Sequence, residues 1–384
     1  MKTILAVFFS LLLCAQNVCG ADVKEDTQIS APSAVLMEAS TGQILFEKNA
    51  NEELPPASVT KIMTLLLIFD GLESGKITLE DSVTVSEYAA SMGGSQVFFE
   101  QGEVQSVDTM IKCIAVASGN DAAVAMAEHL CGSEEEFVRQ MNERAKGLSM
   151  THTHFQNCNG LDADGHTTTA RDIGVMSREL ITKYPQIHQY STIWMENITH
   201  TTKKGTTEFG LTNTNKLLRQ YQYATGLKTG STSQAKYCVS ATAKKDGMEL
   251  IAVIMAAPDY KIRFKDATTL LNYGFGKCVK YEDANKEQLD EMEVRHGIQK
   301  TVKIEAKAPF SYIDITGADL SAVKKKTVLS KGIQAPVKEG AVVGEIQYAL
   351  NDKKIGAVDI IARSEVKAMT YASAFSDILT CFLL

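Results

Sequence analysis

The sequence contains no long block of basic residues. Its 39 lysine and arginine residues are outnumbered by 46 aspartate and glutamate residues, which gives a formal net charge of −7. Proteins that bind the phosphate backbone concentrate positive charge on one surface. The nearest approach to a basic block, Lys324 to Lys326, is typical of a solvated turn. The composition therefore argues against nucleic acid as a partner.

The apolar run at the N terminus is too short to cross a bilayer as a permanent helix, which takes about 20 residues. A basic start at Lys2 is followed by apolar residues from Ile4 to Ala15 and by small residues up to Gly20. This order is typical of a secretory signal peptide. We therefore expect residues 1–20 to be removed, the mature chain to begin at Ala21, and the protein to lie in the extracytoplasmic cell envelope.

The eight cysteines include no Cys-x-x-Cys pair and no spacing typical of metal ligands. A chain of 384 residues, 45% of them apolar, can bury a core without disulfides. We expect most of the cysteines to be small buried hydrophobic residues. His152 and His154 have no carboxylate or cysteine set near them, so the sequence predicts no metal and no organic cofactor.

The predicted elements begin and end with strands and have helices between them. Strand patterns before Pro55 and from Gly226 onward enclose a mainly helical stretch. This order favours one discontinuous α/β domain whose sheet is closed by its N-terminal and C-terminal segments. The predicted strands are 34–37, 43–46, 226–229, 237–243 and 249–256, and the predicted helices are 62–69, 107–116, 122–130, 135–148, 170–181 and 263–273.

The composition changes near Tyr281. A charged stretch, 281–296, is followed by short alternating runs at 301–304 and 344–348, which are typical of a small β domain. Apolar residues from Ala368 to Leu383 then follow i, i+3, i+4, i+7 spacing, which predicts an amphipathic helix. The predicted domains are residues 21–278, 283–362 and 363–384.

An S-x-x-K motif, Ser58 to Lys61, lies at the start of the first predicted helix. Residues three apart share one helix face, so the Lys61 amine can reach the Ser58 hydroxyl. A serine hydroxyl needs a neighbouring base to become a good nucleophile, and a helix N terminus offers free N–H groups to a developing oxyanion. The motif alone is a weak signal, because it occurs four times. The other three copies begin at Ser233, Ser321 and Ser364.

Two further motifs follow in order. Ser118-Gly119-Asn120 lies between two predicted helices, and Lys228-Thr229-Gly230 lies on a predicted strand. Seen alone, the first is typical of a turn between helices and the second of an edge strand that ends in a turn. Together with S-x-x-K they match the motif set of class A β-lactamases and penicillin-binding proteins.

The chain resembles the low-molecular-mass penicillin-binding proteins that act as serine-type D-alanyl-D-alanine carboxypeptidases. The resemblance covers about residues 30–275 strongly and the rest more loosely. It implies an α/β (α+β) domain of the serine β-lactamase/transpeptidase type, with an antiparallel sheet and an inserted helical subdomain. A small all-β domain and a C-terminal amphipathic helix would follow. Four segments carry the resemblance: Pro56–Lys61, Ser118–Asp121, Asn159–Gly165 and Gly226–Gly230.

The resemblance also implies roles for single residues. Ser58 would attack the carbonyl of the penultimate D-alanine, with Lys61 as general base. Lys61 must then be neutral, which burial and a nearby second cation both favour. Ser118 would relay a proton to the leaving amine, and Asn120 would hydrogen-bond the substrate amide. The residues implied on the substrate-carboxylate side are Lys228, Thr229 and Arg263, with Gly230 allowing close approach and the N–H of Ser231 completing an oxyanion hole with that of Ser58.

Two of these positions leave alternatives open. Many relatives carry histidine where this chain has Ser231; because the position contributes a backbone N–H, we expect the oxyanion hole to survive. Arg263 has the alternative interpretation of a charge on a helix surface.

Two other functions fit parts of the pattern. A class A β-lactamase needs a glutamate that activates the deacylating water, and none lies between Glu143 and Glu179. An inactive cell-wall binding protein would have no physical reason to keep the intact motif residues. The expected partners are therefore peptidoglycan stem peptides, β-lactams as covalent inhibitors and, through the C-terminal helix, the membrane surface. The alternative for that helix is docking on its own domain.

Overall fold

The computed structural model describes residues 28–314, 317–371 and 375. The predicted signal peptide, residues 1–20, lies outside the described residues, as does most of the predicted C-terminal helix. Within the described ranges, no helix combines the length and apolar character that crossing a membrane requires.

Residues 28–278 contain nine strands and nine α-helices in the order strands, helices, strands. The strands are β1 (Ser33–Glu38), β2 (Ile44–Lys48), β3 (Ser82–Thr84), β4 (Val104–Ser106), β5 (Met195–Thr202), β6 (Gly205–Thr212), β7 (Ala224–Thr232), β8 (Lys236–Lys245) and β9 (Met248–Ala257). The helices are α1 (Lys61–Glu73), α2 (Glu87–Ala90), α3 (Val107–Ala115), α4 (Asn120–Cys131), α5 (Glu134–Gly147), α6 (Ala170–Lys183), α7 (His188–Ser191), α8 (Leu217–Gln220) and α9 (Tyr260–Lys277).

A five-stranded antiparallel sheet joins the two ends of this part of the chain. Its strand order is β2-β1-β9-β8-β7. Val35 on β1 pairs with Glu47 on one side and with Val253 on the other. The predicted sheet, closed by N-terminal and C-terminal segments around inserted helices, is therefore confirmed. β7 forms one edge of this sheet, which leaves one side of its backbone unpaired by a strand.

Both faces of the sheet are covered, which explains the nearly continuous apolar sequence of β9. Successive side chains of a strand point to opposite faces. Ile251, Val253 and Met255 accordingly join the core shared with α1, α3, α4 and α6, whereas Leu250 and Ile254 join a second core under α9. α1 is buried from Lys61 to Phe69 and forms the centre of the first core.

The hairpin formed by β5 and β6 was not expected from the sequence. The two strands pair in register over their full length, from Met195 with Thr212 to Thr202 with Gly205. Most of their side chains are exposed or half-buried threonine, glutamate and asparagine. An apolar alternation that would indicate a strand is therefore nearly absent.

Residues 279–371 form the predicted small all-β part. Its strands are β10 (Val279–Asp283), β11 (Met292–Arg295), β12 (Thr301–Val302), β13 (Ile304–Ala306), β14 (Phe310–Asp314), β15 (Lys324–Leu329), β16 (Ile333–Gln334), β17 (Val342–Leu350) and β18 (Lys353–Ala362). Its core is built around Tyr348, whose ring stacks on Phe310 with 3.9 Å between centroids. Lys324 to Lys326 were expected in a turn, and this is wrong: they begin β15, where Lys325 pairs with Asp283.

The described cysteines are all free thiols. Four of them, Cys113, Cys158, Cys238 and Cys278, are buried, and Cys131 is half-buried. The expectation that most cysteines serve as small hydrophobic residues is confirmed for this part of the chain.

Candidate active site

Ser58 lies in a 3-10 turn, Ala57–Thr60, that leads directly into α1. Ala57 has φ of +49°, a backbone conformation that costs a residue with a side chain about 1–2 kcal/mol. The turn packs closely against β7. A Cβ atom on Gly230 of this strand would lie only 2.8 Å from the Ser58 nitrogen. Ser58 itself is half-buried, so the turn presents a hydroxyl that a substrate can reach.

Lys61 places its amine between three oxygen atoms. Its Nζ lies 3.1 Å from Ser58 Oγ and 2.6 Å from each of Asn120 Oδ1 and the carbonyl oxygen of Asn159. The Asn120 amide is oriented by its Nδ2, which donates to the carbonyl of Gly93 at 2.7 Å. Asn120 Oδ1 therefore faces Lys61.

Burial lowers the pKa of Lys61 to about 7, although Cys158 and Asp121 act in the opposite direction. A neutral amine has two N–H donors and one lone pair. The oxygens of Asn120 and Asn159 can only accept, so they take the two N–H groups. The lone pair is then left for the Ser58 hydroxyl, which is the geometry that a general base needs.

Ser118 adopts φ of +62° in the turn between α3 and α4. Its side chain is buried, with 3% exposure, yet its Oγ has no hydrogen-bond partner in the described part of the chain. A buried hydroxyl without a partner costs free energy. Ser118 Oγ is therefore available to a group that a substrate would bring.

The K-T-G motif lies on the edge strand β7, as predicted. Lys228 is buried and donates from Nζ to the carbonyl of Thr229 at 3.0 Å. Burial lowers the pKa of Lys228 well below its usual range, and the nearby Lys61 and Arg263 act in the same direction. Lys228 is therefore a second lysine close to Lys61, whereas burial is what lowers the pKa of Lys61. Ser231 is exposed at the open end of the motif.

Arg263 lies on α9 with 7% exposure, so its interpretation as a helix-surface charge is wrong. Its Nη1 donates to the carbonyls of Gly230 and Cys238, each at 3.1 Å. Burial lowers the pKa of this guanidinium to about 10. Arg263 thus reaches the motif through the backbone of β7.

The loop that supplies the second acceptor for Lys61 contains segment 159–165, which carries part of the resemblance, but no role was predicted for Asn159. This 155–166 loop is closed by paired backbone hydrogen bonds between His154 and Thr167. It carries Asn159 and, next to it, Gly160, whose φ is +88°. A Cβ atom on Gly160 would lie 2.0 Å from the Ala57 carbonyl oxygen. Only the glycine at a positive φ could have indicated this close approach, because a backbone carbonyl leaves no trace in sequence.

Asp121 was also missed: it belongs to the 118–121 motif, but the sequence pattern predicted no role for it. Its buried carboxylate accepts the backbone N–H groups of Val97, Phe99 and Ala122. These bonds hold the segment that begins with Gly93, the residue that orients Asn120. Burial raises the pKa of Asp121, and the backbone N–H groups oppose that shift.

The family model of D-alanyl-D-alanine carboxypeptidases matches residues 20–259. The chain belongs to the D-alanyl-D-alanine carboxypeptidase family. The predicted family, fold class and serine-hydrolase type of this carboxypeptidase are confirmed. A second model, that of the C-terminal domain of penicillin-binding protein 5, matches residues 283–368.

Relatives of this carboxypeptidase cover nearly the whole chain. D-alanyl-D-alanine carboxypeptidase DacF of Bacillus subtilis is 39% identical over 96% of this chain and 94% of its own. DacC of Escherichia coli is 34% identical over 94% and 90%. The crystal structure of penicillin-binding protein 5 from Haemophilus influenzae superposes with a TM-score of 0.76 at 31% identity, covering 89% of this chain and 99% of that one.

Proposed function

We propose that Ser58 is the nucleophile of a carboxypeptidase that removes the terminal D-alanine from peptidoglycan stem peptides. The observation that carries this assignment is the 3.1 Å separation between Ser58 Oγ and Lys61 Nζ. Family membership supports the reaction, and the lowered pKa of Lys61 supports its role as base at neutral pH.

In the proposed acylation step, neutral Lys61 takes the proton of the Ser58 hydroxyl as the oxygen attacks the carbonyl carbon of the penultimate D-alanine. The negative charge that develops on the carbonyl oxygen is stabilised by the backbone N–H groups of Ser58 and Ser231. The amide bond then breaks, and the leaving nitrogen receives a proton through Ser118. The partnerless Oγ of Ser118 supports this relay. Free D-alanine and a serine ester are the products.

Substrate binding is assigned to β7 and the residues around it. The free edge of β7 offers backbone groups to an extended peptide, as in strand addition to a sheet. Lys228, Thr229 and Arg263 place positive charge and a hydroxyl near the substrate carboxylate, and Asn120 holds the amide. Gly230 permits the close approach, since any side chain there would meet the Ser58 nitrogen.

Water completes the proposed cycle by attacking the serine ester, which releases the shortened peptide and restores the Ser58 hydroxyl. The glutamate that activates this water in class A β-lactamases has no counterpart between Glu143 and Glu179. Penicillin would therefore remain on Ser58 for long periods. Intact-mass measurement checks this, and free enzyme with fully hydrolysed drug within seconds would contradict it.

The decisive experiment uses protein spanning Ala21–Tyr371, which keeps the pairing of Val366 with Val337, and a peptide that ends in D-Ala-D-Ala. We expect release of D-alanine, measured by coupled oxidation, and its loss in Ser58→Ala. Release that persists in Ser58→Ala would overturn the assignment of the nucleophile. No release from either protein would leave the family assignment standing and refute the proposed reaction.

We also propose that residues 1–20 direct export, that 21–278 and 283–362 are separate domains, and that 363–384 attach the protein to the outer face of the cytoplasmic membrane. The amphipathic spacing supports this last point, although Arg363 and Lys367 are the only basic residues of the segment. Val366 pairs with Val337 in the core of the β domain, so the test deletes only residues 372–384. This deletion should move the protein to the soluble fraction with unchanged activity. Unchanged fractionation would contradict membrane attachment.

A further inference from the structure

His166 is a buried histidine that the proposed mechanism does not use. Its exposure is 3%, and it lies at the end of the 155–166 loop. Its Nε2 is 2.9 Å from Thr60 Oγ1, and its Nδ1 is 3.2 Å from the backbone nitrogen of Gln156. One ring nitrogen therefore contacts the turn that carries Ser58, and the other contacts the beginning of the loop.

These contacts define one tautomer of the imidazole. The backbone N–H of Gln156 can only donate, so Nδ1 must accept. The ring proton then lies on Nε2 and is donated to the Thr60 hydroxyl. Burial lowers the pKa of His166 to about 4, with His154 acting in the same direction and Asp162 against it. The ring is thus neutral at the pH at which Lys61 would act as a base.

The same loop supplies the carbonyl that holds Lys61. Asn159 accepts from Lys61 Nζ at 2.6 Å, and Thr60, the partner of His166, is the residue before Lys61. Three hydrogen bonds consequently join the loop to the Ser58 turn and α1. One comes from the Lys61 amine, one joins His166 to Thr60, and one runs from Thr64 Oγ1 to the Cys158 carbonyl at 2.5 Å. Only the bond to Thr60 holds the end of the loop that carries His166.

We propose that His166 is a positioning residue for Lys61: its hydrogen bonds to Thr60 and Gln156 fix the loop so that the Asn159 carbonyl directs the Lys61 lone pair at Ser58. The inference rests on the proposed function of Ser58 and Lys61. Without these bonds the Asn159 carbonyl drifts, and the amine is no longer held in one orientation. A misplacement of about 1 Å in such a constellation costs about 100-fold in rate.

A purely structural histidine would behave differently. The ring of His166 also packs edge-on against Phe155, with 5.9 Å between centroids. His166→Phe keeps an aromatic ring in this position and removes both hydrogen bonds. Thr60→Val removes only the hydroxyl from the other side of the bond. Thr60→Ser restores a hydroxyl and is the matched rescue variant.

The experiment measures acylation of the exported protein by a fluorescent penicillin in a stopped-flow instrument. Three quantities are separated: the dissociation constant of the first complex, the acylation rate constant, and the number of active sites per protein from the burst amplitude. We expect His166→Phe and Thr60→Val each to lower the rate constant 10- to 100-fold, with the dissociation constant and the active-site count unchanged.

Because both variants remove the same bond, the double variant should be no slower than the slower single one. Thr60→Ser should recover most of the rate lost in Thr60→Val. A wild-type rate constant in Thr60→Val, or a loss confined to the active-site count, would overturn the proposal. If His166→Phe fails to fold, the two Thr60 variants decide the question alone.

The control separates this inference from the proposed function. A tryptic peptide that contains Ser58 should carry the label in the unmodified protein. Absence of that label would refute the proposed nucleophile itself. A labelled Ser58 together with unaffected variants would refute only the positioning role of His166.

Discussion

Replacing Gly160 by alanine tests whether close contact between the 155–166 loop and the Ser58 turn sets the rate of acylation. The added Cβ atom would lie 2.0 Å from the Ala57 carbonyl oxygen and 2.8 Å from the Ser58 nitrogen, both of them backbone atoms. To reach ordinary contact at 3.4 Å, the loop must retreat by about 1.4 Å. The Asn159 carbonyl would move with it, away from Lys61.

Two costs follow from this substitution. An alanine at a positive φ loses about 1–2 kcal/mol of stability. The displaced loop lowers the acylation rate by about 100-fold or more, since a shift of about 1 Å has that effect in catalytic constellations. The rate is measured with a fluorescent penicillin, and stability is measured by urea unfolding.

Gly165→Ala is the matched control. Gly165 belongs to the same loop and has φ of +75°, but its Cβ atom would meet only the end of the Gln156 side chain, at 3.3 Å. It should share the loss of stability and keep acylation within about threefold of the unmodified protein. The reasoning is refuted if Gly160→Ala acylates within threefold of the unmodified protein, or if the control loses as much rate.

Three other predictions concern the same site. Acylation should slow as the pH falls below about 7, because Lys61 then holds its proton and cannot act as a base; a rate that stays flat from pH 5 to 9 would contradict this. Asp121→Asn should lower the free energy of unfolding by about 1–3 kcal/mol, because its NH2 group replaces one carboxylate oxygen and leaves a buried backbone N–H without an acceptor. Asp164→Asn, at an exposed position, serves as control in the same urea titration, and equal losses would argue against the role of burial. Arg263→Lys keeps the charge, but its side chain is shorter and cannot carry the amine to the position of Nη1, which donates to both carbonyls. D-alanine release should fall about tenfold, and unchanged kinetics would show that β7 needs no such support.

The sequence could predict candidate site residues where a side chain would carry the chemistry. Ser58, Lys61, Ser118 and Lys228 each occur in a motif with a mechanism, and the structure brings Ser58, Lys61 and Asn120 into direct contact. Apolar periodicity was likewise sufficient for α1, β8 and β9. Their buried side chains leave a strong pattern.

Other features of the site and of the fold could not be predicted from the sequence, and each failure has a physical reason. The Asn159 carbonyl belongs to the backbone, so residue type does not reveal that it accepts from Lys61. The hairpin of β5 and β6 buries little beyond Ile198, His200 and Leu211, so its strands lack the apolar alternation on which strand prediction depends. The positive φ of Ser118 is enforced by its surroundings rather than by its own preference.

The strand order of the central sheet constrains how the protein becomes active. β1 lies between β2 and β9. Val35 therefore cannot pair with Val253 until the chain has been synthesised as far as β9. The Ser58 turn likewise packs on Gly230 of β7. Contacts so distant in sequence are slow to form and cannot be made by a partial chain. A nascent polypeptide would therefore contain Ser58 and Lys61 long before it could be acylated, so that activity begins only after the last strand of the sheet has been synthesised and paired.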